Sequence, residues 1–283
     1  MRKTLPFFLL LYLFLIGCQS DAKTSDQKKN TTIISDSTAK PVIKKEPDII
    51  RNILDSNDQT HYVYLTFDDG PYPSTSGLAN LLTEKKIKSS FFIIGSHIKH
   101  SEKHRLIFES IKTNPLFKIY NHTVTHAITR GRYKKYYRHM DTIWNDIQNN
   151  KIYMPEGAHI TRLPGTNAFR VADYRFPAKG VGASVIAHLD SLHSNEALLG
   201  WHAEWTQKES TDSAAVTAII QQIVNDGKRS RKYKKHTVVL FHDFLFGSPE
   251  SLQHLAHFID ELQTKHGCVF RWADEFPNIN RDL

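Results

Sequence analysis

A chain of 283 residues with 40% hydrophobic and 11% aromatic content is long enough to bury a sizeable core, which excludes a solvated polymer. Two cysteines are too few for a disulfide-stapled scaffold, and no repeating period marks a solenoid. The formal charge of +8 gathers in two runs, at 130–135 and 228–235; such runs attract anionic polymers but more often form solvated helix ends and loops.

The N-terminus reads as a targeting segment. Arg2-Lys3 is followed by an apolar run of 12 residues at 5–16, too short to span a bilayer, which takes about 20, but suited to a signal peptide. Its end, Leu15-Ile16-Gly17-Cys18, resembles a bacterial lipobox, in which cleavage leaves Cys18 to be lipidated. Cys268 would then be the one remaining thiol, so no internal disulfide is expected. Residues 18–59 are polar and cannot bury enough apolar surface to offset chain entropy, so they read as a flexible tether, with 47–54 able to dock as a short helix. The expected layout is a signal peptide at 1–17, a lipidated tether at 18–59 and a folded domain at 60–283. The expected location is the bacterial cell envelope, with a lipid anchor in the membrane. A nucleic-acid role suits an exported chain poorly.

Within the domain, 62–67 reads as a buried strand, with Val63, Leu65 and Phe67 on one face and Tyr62 and Tyr64 on the other. It runs into Asp68-Asp69 and is stopped by Gly70-Pro71. A helix is predicted over 74–86, with Ser74 or Thr75 as N-cap, then a strand over 90–95, a helix over 98–112 and a strand over 117–120. Further on, helical patterns at 134–149, 181–192, 211–226 and 252–264 alternate with strand patterns at 159–163, 197–201, 237–241 and 268–272. That alternation predicts a parallel α/β sheet or barrel with active-site residues just after the strands.

Two adjacent carboxylates at a strand end repel each other, and a cation is the simplest partner that keeps both ionised. His122 and His126 are spaced four apart, so a helical turn would put both imidazoles on one face. Among 16 histidines such a pair is a weak signal alone. Joined to the Asp pair, it becomes two imidazoles and one carboxylate, an open donor set of the catalytic kind.

Thr66-Phe67-Asp68-Asp69-Gly70-Pro71 followed by His122-Thr123-Val124-Thr125-His126 resembles the NodB-homology polysaccharide deacetylases, with Ser89 to Gly95 similar to that family's second strand. The resemblance implies a distorted (β/α) barrel with about seven parallel strands in a single catalytic domain. It implies a divalent metal, zinc foremost and cobalt as another option, held by Asp69, His122 and His126, with Asp68 as general base. Arg162 matches the arginine that pairs with that base, and His242 the general acid that protonates the departing amine. Leu240 would line the pocket for the acetyl methyl. Tyr72, Pro164, Gly165, Trp201 and Glu204 are the other expected pocket residues.

Two positions depart from the family pattern. Gly165 stands where an aromatic usually follows the proline, and Gly200-Trp201-His202-Ala203-Glu204-Trp205 lacks the usual Asp that tunes the acid histidine. Glu204 is the nearest substitute. The implied activity is removal of N-acetyl groups from an N-acetylglucosamine-containing polymer, peptidoglycan or a surface polysaccharide. The alternatives are a carbohydrate-binding protein without catalysis and a hydrolase of small cyclic amides.

Overall fold

The central strand, β1 (Tyr62–Asp68), lies between β2 (Ser89–Ile93) and β9 (His236–His242), and all seven of its residues are buried. The structure, a computed structural model, describes residues 59–127, 133–225 and 233–280. The signal segment, Cys18, the tether up to residue 58 and parts of both basic runs (130–132 and 228–232) lie outside the described residues. Among the described residues no helix is long and apolar enough to cross a membrane.

After β1 the chain forms α1 (Thr75–Glu84), β2, a short turn of helix α2 (Gly95–Ile98), α3 (Glu102–Thr113) and β3 (Phe117–Asn121). There follow α4 (Tyr133–Tyr136), α5 (Met140–Asn150), β4 (Ile160–Thr161), β5 (Phe169–Val171), β6 (Tyr174–Phe176), α6 (Val181–Ser191), β7 (Ala197–Leu198) and β8 (Ala203–Glu204). The chain then runs through α7 (Ser213–Val224), β9, α8 (Pro249–Thr264) and β10 (Val269–Phe270). The strands form one curled sheet in the order β6-β5-β7-β4-β3-β2-β1-β9-β8, with β10 paired to the start of β1. Pairings are parallel except those of β5 with β6 and β7.

Period-two alternation on β1 sorts the core into two layers. Val63, Leu65 and Phe67 point outward, where they pack with Leu78 and Leu82 of α1, Ile219 and Ile223 of α7, and Phe258 and Leu262 of α8. Tyr62 and Tyr64 point inward, into a second cluster with Phe92, Tyr120, Val238 and Phe276. Burying each such aromatic contributes roughly 1.5–3 kcal/mol. Thr66 and Asp68 share the inward parity, so the first carboxylate faces the barrel interior at its mouth.

The structure redraws several predicted boundaries. The helix expected over 98–112 splits, because Ser101 takes an extended backbone and accepts a hydrogen bond from the His104 N–H, starting α3 at Glu102. The helix expected over 134–149 breaks between α4 and α5. Ser74 is helical and its side chain makes no cap; Thr75 instead accepts from the Tyr72 N–H. The β5–β6 hairpin is antiparallel and has no counterpart among the predicted elements.

Candidate active site

Asp68 ends β1 and is almost wholly buried. Asp69 opens the turn at φ 74°, a left-handed conformation that Asp tolerates better than most residues. Gly70 is required next, because a Cβ there would run into the Asp243 carboxylate. The tight turn thus aims two neighbouring carboxylates in different directions from one strand end.

His122 follows β3 directly, and His126 closes the loop beyond it. The segment is not the helical turn expected from the spacing: Thr123 and His126 both have positive φ. Side chains hold this loop. The Asn121 amide oxygen accepts from the Thr123 N–H, and Asp146 accepts from both the backbone and the hydroxyl of Thr125. The ring centroids of His122 and His126 come within 4.9 Å.

Both Nε2 atoms converge on Asp69 Oδ1, at 3.4 Å from His122 and 3.1 Å from His126. His122 Nδ1 lies 2.8 Å from the Arg162 carbonyl oxygen, which can only accept, so Nδ1 carries the proton and the neutral ring turns its Nε2 lone pair inward. Asp69 Oδ1 is buried and takes part in no properly directed hydrogen bond. Three ligand atoms within 4.8 Å of one another, one an orphaned carboxylate oxygen and one a fixed lone pair, form a donor set that fits a divalent cation. The electrostatics agree. Burial alone would raise the Asp69 carboxyl, but the two imidazoles outweigh it and hold it well below the usual carboxylate range. Burial lowers the His122 imidazole, yet Asp68 and Asp69 raise it further; the negative potential that favours a proton there also favours a metal ion.

Asp68 stands at the edge of this group, its Oδ2 3.6 Å from His122 Nε2, and is paired with Arg162, which directly follows β4. The Arg162 Nη1 donates to Asp68 Oδ1 at 2.8 Å and to the Thr66 hydroxyl at 2.7 Å. Its Nε and Nη2 donate to the Leu199 and Gly200 carbonyls, each at 2.9 Å, and its Cζ lies 4.3 Å from the Phe92 ring centroid. A buried guanidinium held through all three of its nitrogens is a fixed charge, not a mobile surface ion. Asp68 and His242 are register partners on adjacent parallel strands, so the base candidate and the acid candidate stand side by side at the same rim.

A cavity of about 460 Å³ opens above them, lined by Asp68, Asp69, His122, His126 and His242 together with Gly165, Trp201, Glu204 and Leu240. Tyr72 and Pro164, expected in the pocket, are not on that lining: the Tyr72 ring packs edge-on against His97 and Phe244, and the Pro164 carbonyl accepts from the Tyr137 hydroxyl. Glu204 is exposed on the wall and makes no hydrogen bond to His242, so no described contact gives it the tuning role. Sequence reading missed Tyr133, Leu163 and Phe244 on the lining. It also missed His97, whose Nδ1 donates to the Asp69 carbonyl at 2.7 Å, and Asp243, buried under the Gly70 turn. Leu163, Asp243 and Phe244 flank Arg162 and His242 in sequence, a signal that could have found them; Tyr133 and His97 carry none, because they reach the site through tertiary packing.

Residues 55–162 match the Polysaccharide deacetylase family. A chitooligosaccharide deacetylase of Sinorhizobium fredii is 35% identical over 83 residues, which cover 29% of this chain and 37% of that protein. The chain thus spans little more than a third of the length of that curated relative. Among solved structures, the catalytic domain of a peptidoglycan N-acetylglucosamine deacetylase from Eubacterium rectale has a TM-score of 0.54 at 20% identity, covering 76% of this chain and 90% of that one. A polysaccharide deacetylase from Bacillus cereus has a TM-score of 0.51 at 19% identity, over 75% and 91%. At these identities the structural likeness concerns the fold, and it carries the barrel beyond the stretch that the family match covers. The match, the fold and the Asp-Asp and His-His motifs meet in one place: over residues 55–162 the chain is similar to the polysaccharide deacetylase family.

Proposed function

We propose that the protein is a metal-dependent hydrolase that removes N-acetyl groups from an N-acetylglucosamine-containing glycan. The observation that carries this is the division of labour at the end of β1: Asp69 meets both histidines, whereas Asp68, one residue away, meets His122 alone, at 3.6 Å, and is paired with Arg162 at 2.8 Å. A divalent cation at Asp69, His122 and His126, with zinc our choice, would polarise the acetamide carbonyl and acidify the attacking water. Asp68 takes the proton that water gives up as its oxygen bonds to the carbonyl carbon. Arg162 keeps that carboxylate oriented. His242, on the neighbouring strand, donates a proton to the nitrogen as the C–N bond breaks, leaving acetate and a free amine. Leu240 offers an apolar contact for the acetyl methyl.

Around this centre we place a signal peptide at 1–17, lipid on Cys18, a tether to residue 59 and a domain at 60–283. The anchor would hold the enzyme at the bacterial envelope, facing a polymer too large to diffuse to it. Acetate release from chitin oligomers, poly-N-acetylglucosamine and peptidoglycan by zinc-loaded protein tests the reading. Release is expected from at least one, and the Asp68→Asn variant should lose about 10²–10⁴-fold of it. Silence on all three with zinc bound would sink it. The lack of a hydrogen bond from Glu204 to His242 favours one second reading, a glycan-binding protein without turnover; it predicts glycan binding that survives Asp68→Asn and no acetate from either form.

A further inference from the structure

Gly165 has no side chain, but the space beside it is filled. A Cβ at Gly165, whose φ is +58°, would stand 2.8 Å from Cζ of Tyr133 and 3.0 Å from its nearer Cε. The Tyr133 ring, delivered by α4, therefore lies flat against a residue where any side chain would be strained and would push the ring away. The ring is also edge-on to His126, with centroids 6.0 Å apart, and lines the cavity beside Gly165 and Leu163.

Its neighbours pin it there. The Tyr136 hydroxyl donates to Asp146, the residue that also holds Thr125 in the His122–His126 loop, and the Tyr137 hydroxyl donates to the Pro164 carbonyl at 2.7 Å. The segment is thus tied to both loops it touches. Tyr133 itself remains 46% exposed. An aromatic ring anchored this firmly but left half in solvent contributes little to the core; what it offers is a flat apolar face over a polar cavity, the surface on which a pyranose ring packs.

Resting on the deacetylase reading of the site, we propose that Tyr133 is the substrate-facing wall of this pocket, packing against the sugar ring that carries the acetamide. It is a binding residue and moves no proton. Replacing it should weaken substrate binding and leave the chemical step in place.

The test uses zinc-loaded full chain and N-acetylglucosamine oligomers. Tyr133→Ala should raise KM about tenfold, the size of one lost aromatic contact. Its kcat should stay within about twofold and its zinc affinity should match the parent's; Tyr133→Phe should restore KM. An unchanged KM overturns the proposal. So does a fall in kcat together with zinc affinity, which would make Tyr133 a prop for His126. If the parent releases no acetate, the deacetylase reading fails, and oligomer binding then judges the wall by itself. Tighter binding by the parent than by Tyr133→Ala supports it, and equal binding or none overturns it. Gly165→Ala checks the packing separately. Its loss of oligomer affinity should be smaller in the Tyr133→Ala background, where the ring it strikes is gone, and equal losses in both count against the contact.

Discussion

Arg162 and Asp243 show how two buried ionisable residues serve one turn in opposite ways. Arg162 makes hydrogen bonds to Asp68, Thr66, Leu199 and Gly200. A Lys has one point charge and cannot fill that fork, and a Met leaves Asp68 buried with no cation behind it. Arg162→Met should therefore destabilise the fold by about 3–5 kcal/mol, read as the urea midpoint, and cut acetate release along with it. Arg162→Lys should recover part of the stability and less of the activity. Asp243 is buried without a cation. Its Oδ2 accepts from the Thr75 hydroxyl, while Oδ1 has no hydrogen-bond partner among the described residues. Burial first, then Asp69 and Asp68, push its carboxyl up to about 8, against the pull of Thr75. The folded value lies above the unfolded 3.8, so the stability it contributes is full below that pH and is lost as pH rises towards about 8. The melting temperature of metal-free protein should decline from pH 5 to 8, and Asp243→Asn should flatten the decline. An identical slope in both proteins would show that the titrating group lies elsewhere.

Elements were readable where one local signal was strong enough. The alternation on β1 sorted its residues between two core layers, and Ala215, Ile219, Ile220 and Ile223 marked the buried face of α7. α8 begins three residues before the apolar pattern shows it, because Pro249 sits in its first turn and Ser248 forms a capping box with Ser251. Ser248→Ala should cost about 1 kcal/mol, a drop of roughly 2–4 °C in melting temperature at this size, with zinc affinity unchanged. A larger drop would mean that α8 helps to organise the site through Leu255 and Phe258. What stayed illegible has physical causes. β5 and β6 are three residues each, too short to show a period, and pair through a hairpin whose Tyr174 and Phe176 are not buried. Two paired motifs reveal Asp68, Asp69, His122 and His126 because each lies within a few residues of its fellow. Tyr133 could not be found that way, since only the folded chain brings its ring onto Gly165. Nor could the His pair's geometry: a loop with positive φ at Thr123 and His126 does what a helical turn was expected to do.

At the scale of the molecule, the site gathers strand ends that are far apart in sequence, from Asp68 on β1 through His122 after β3 and Arg162 after β4 to His242 on β9. A cation that binds the folded site and not the unfolded chain would stabilise the whole barrel by mass action, about 2.7 kcal/mol at a hundred times its Kd. For a domain of this size that amounts to a rise of roughly 5–11 °C in melting temperature. The rise should disappear with chelator and in His126→Ala, while Ser248→Ala should keep it in full. Its pH dependence follows from His122. In the metal-free protein Asp68 and Asp69 outweigh burial and raise that imidazole, so a proton competes with the metal for Nε2. The zinc-induced rise should therefore shrink as pH falls from 8 to 5, where more of the site is protonated before metal arrives. A zinc-induced rise that is the same at pH 5 and pH 8, or that survives His126→Ala, would place the ion on other ligands and detach it from the carboxylate pair at the end of β1.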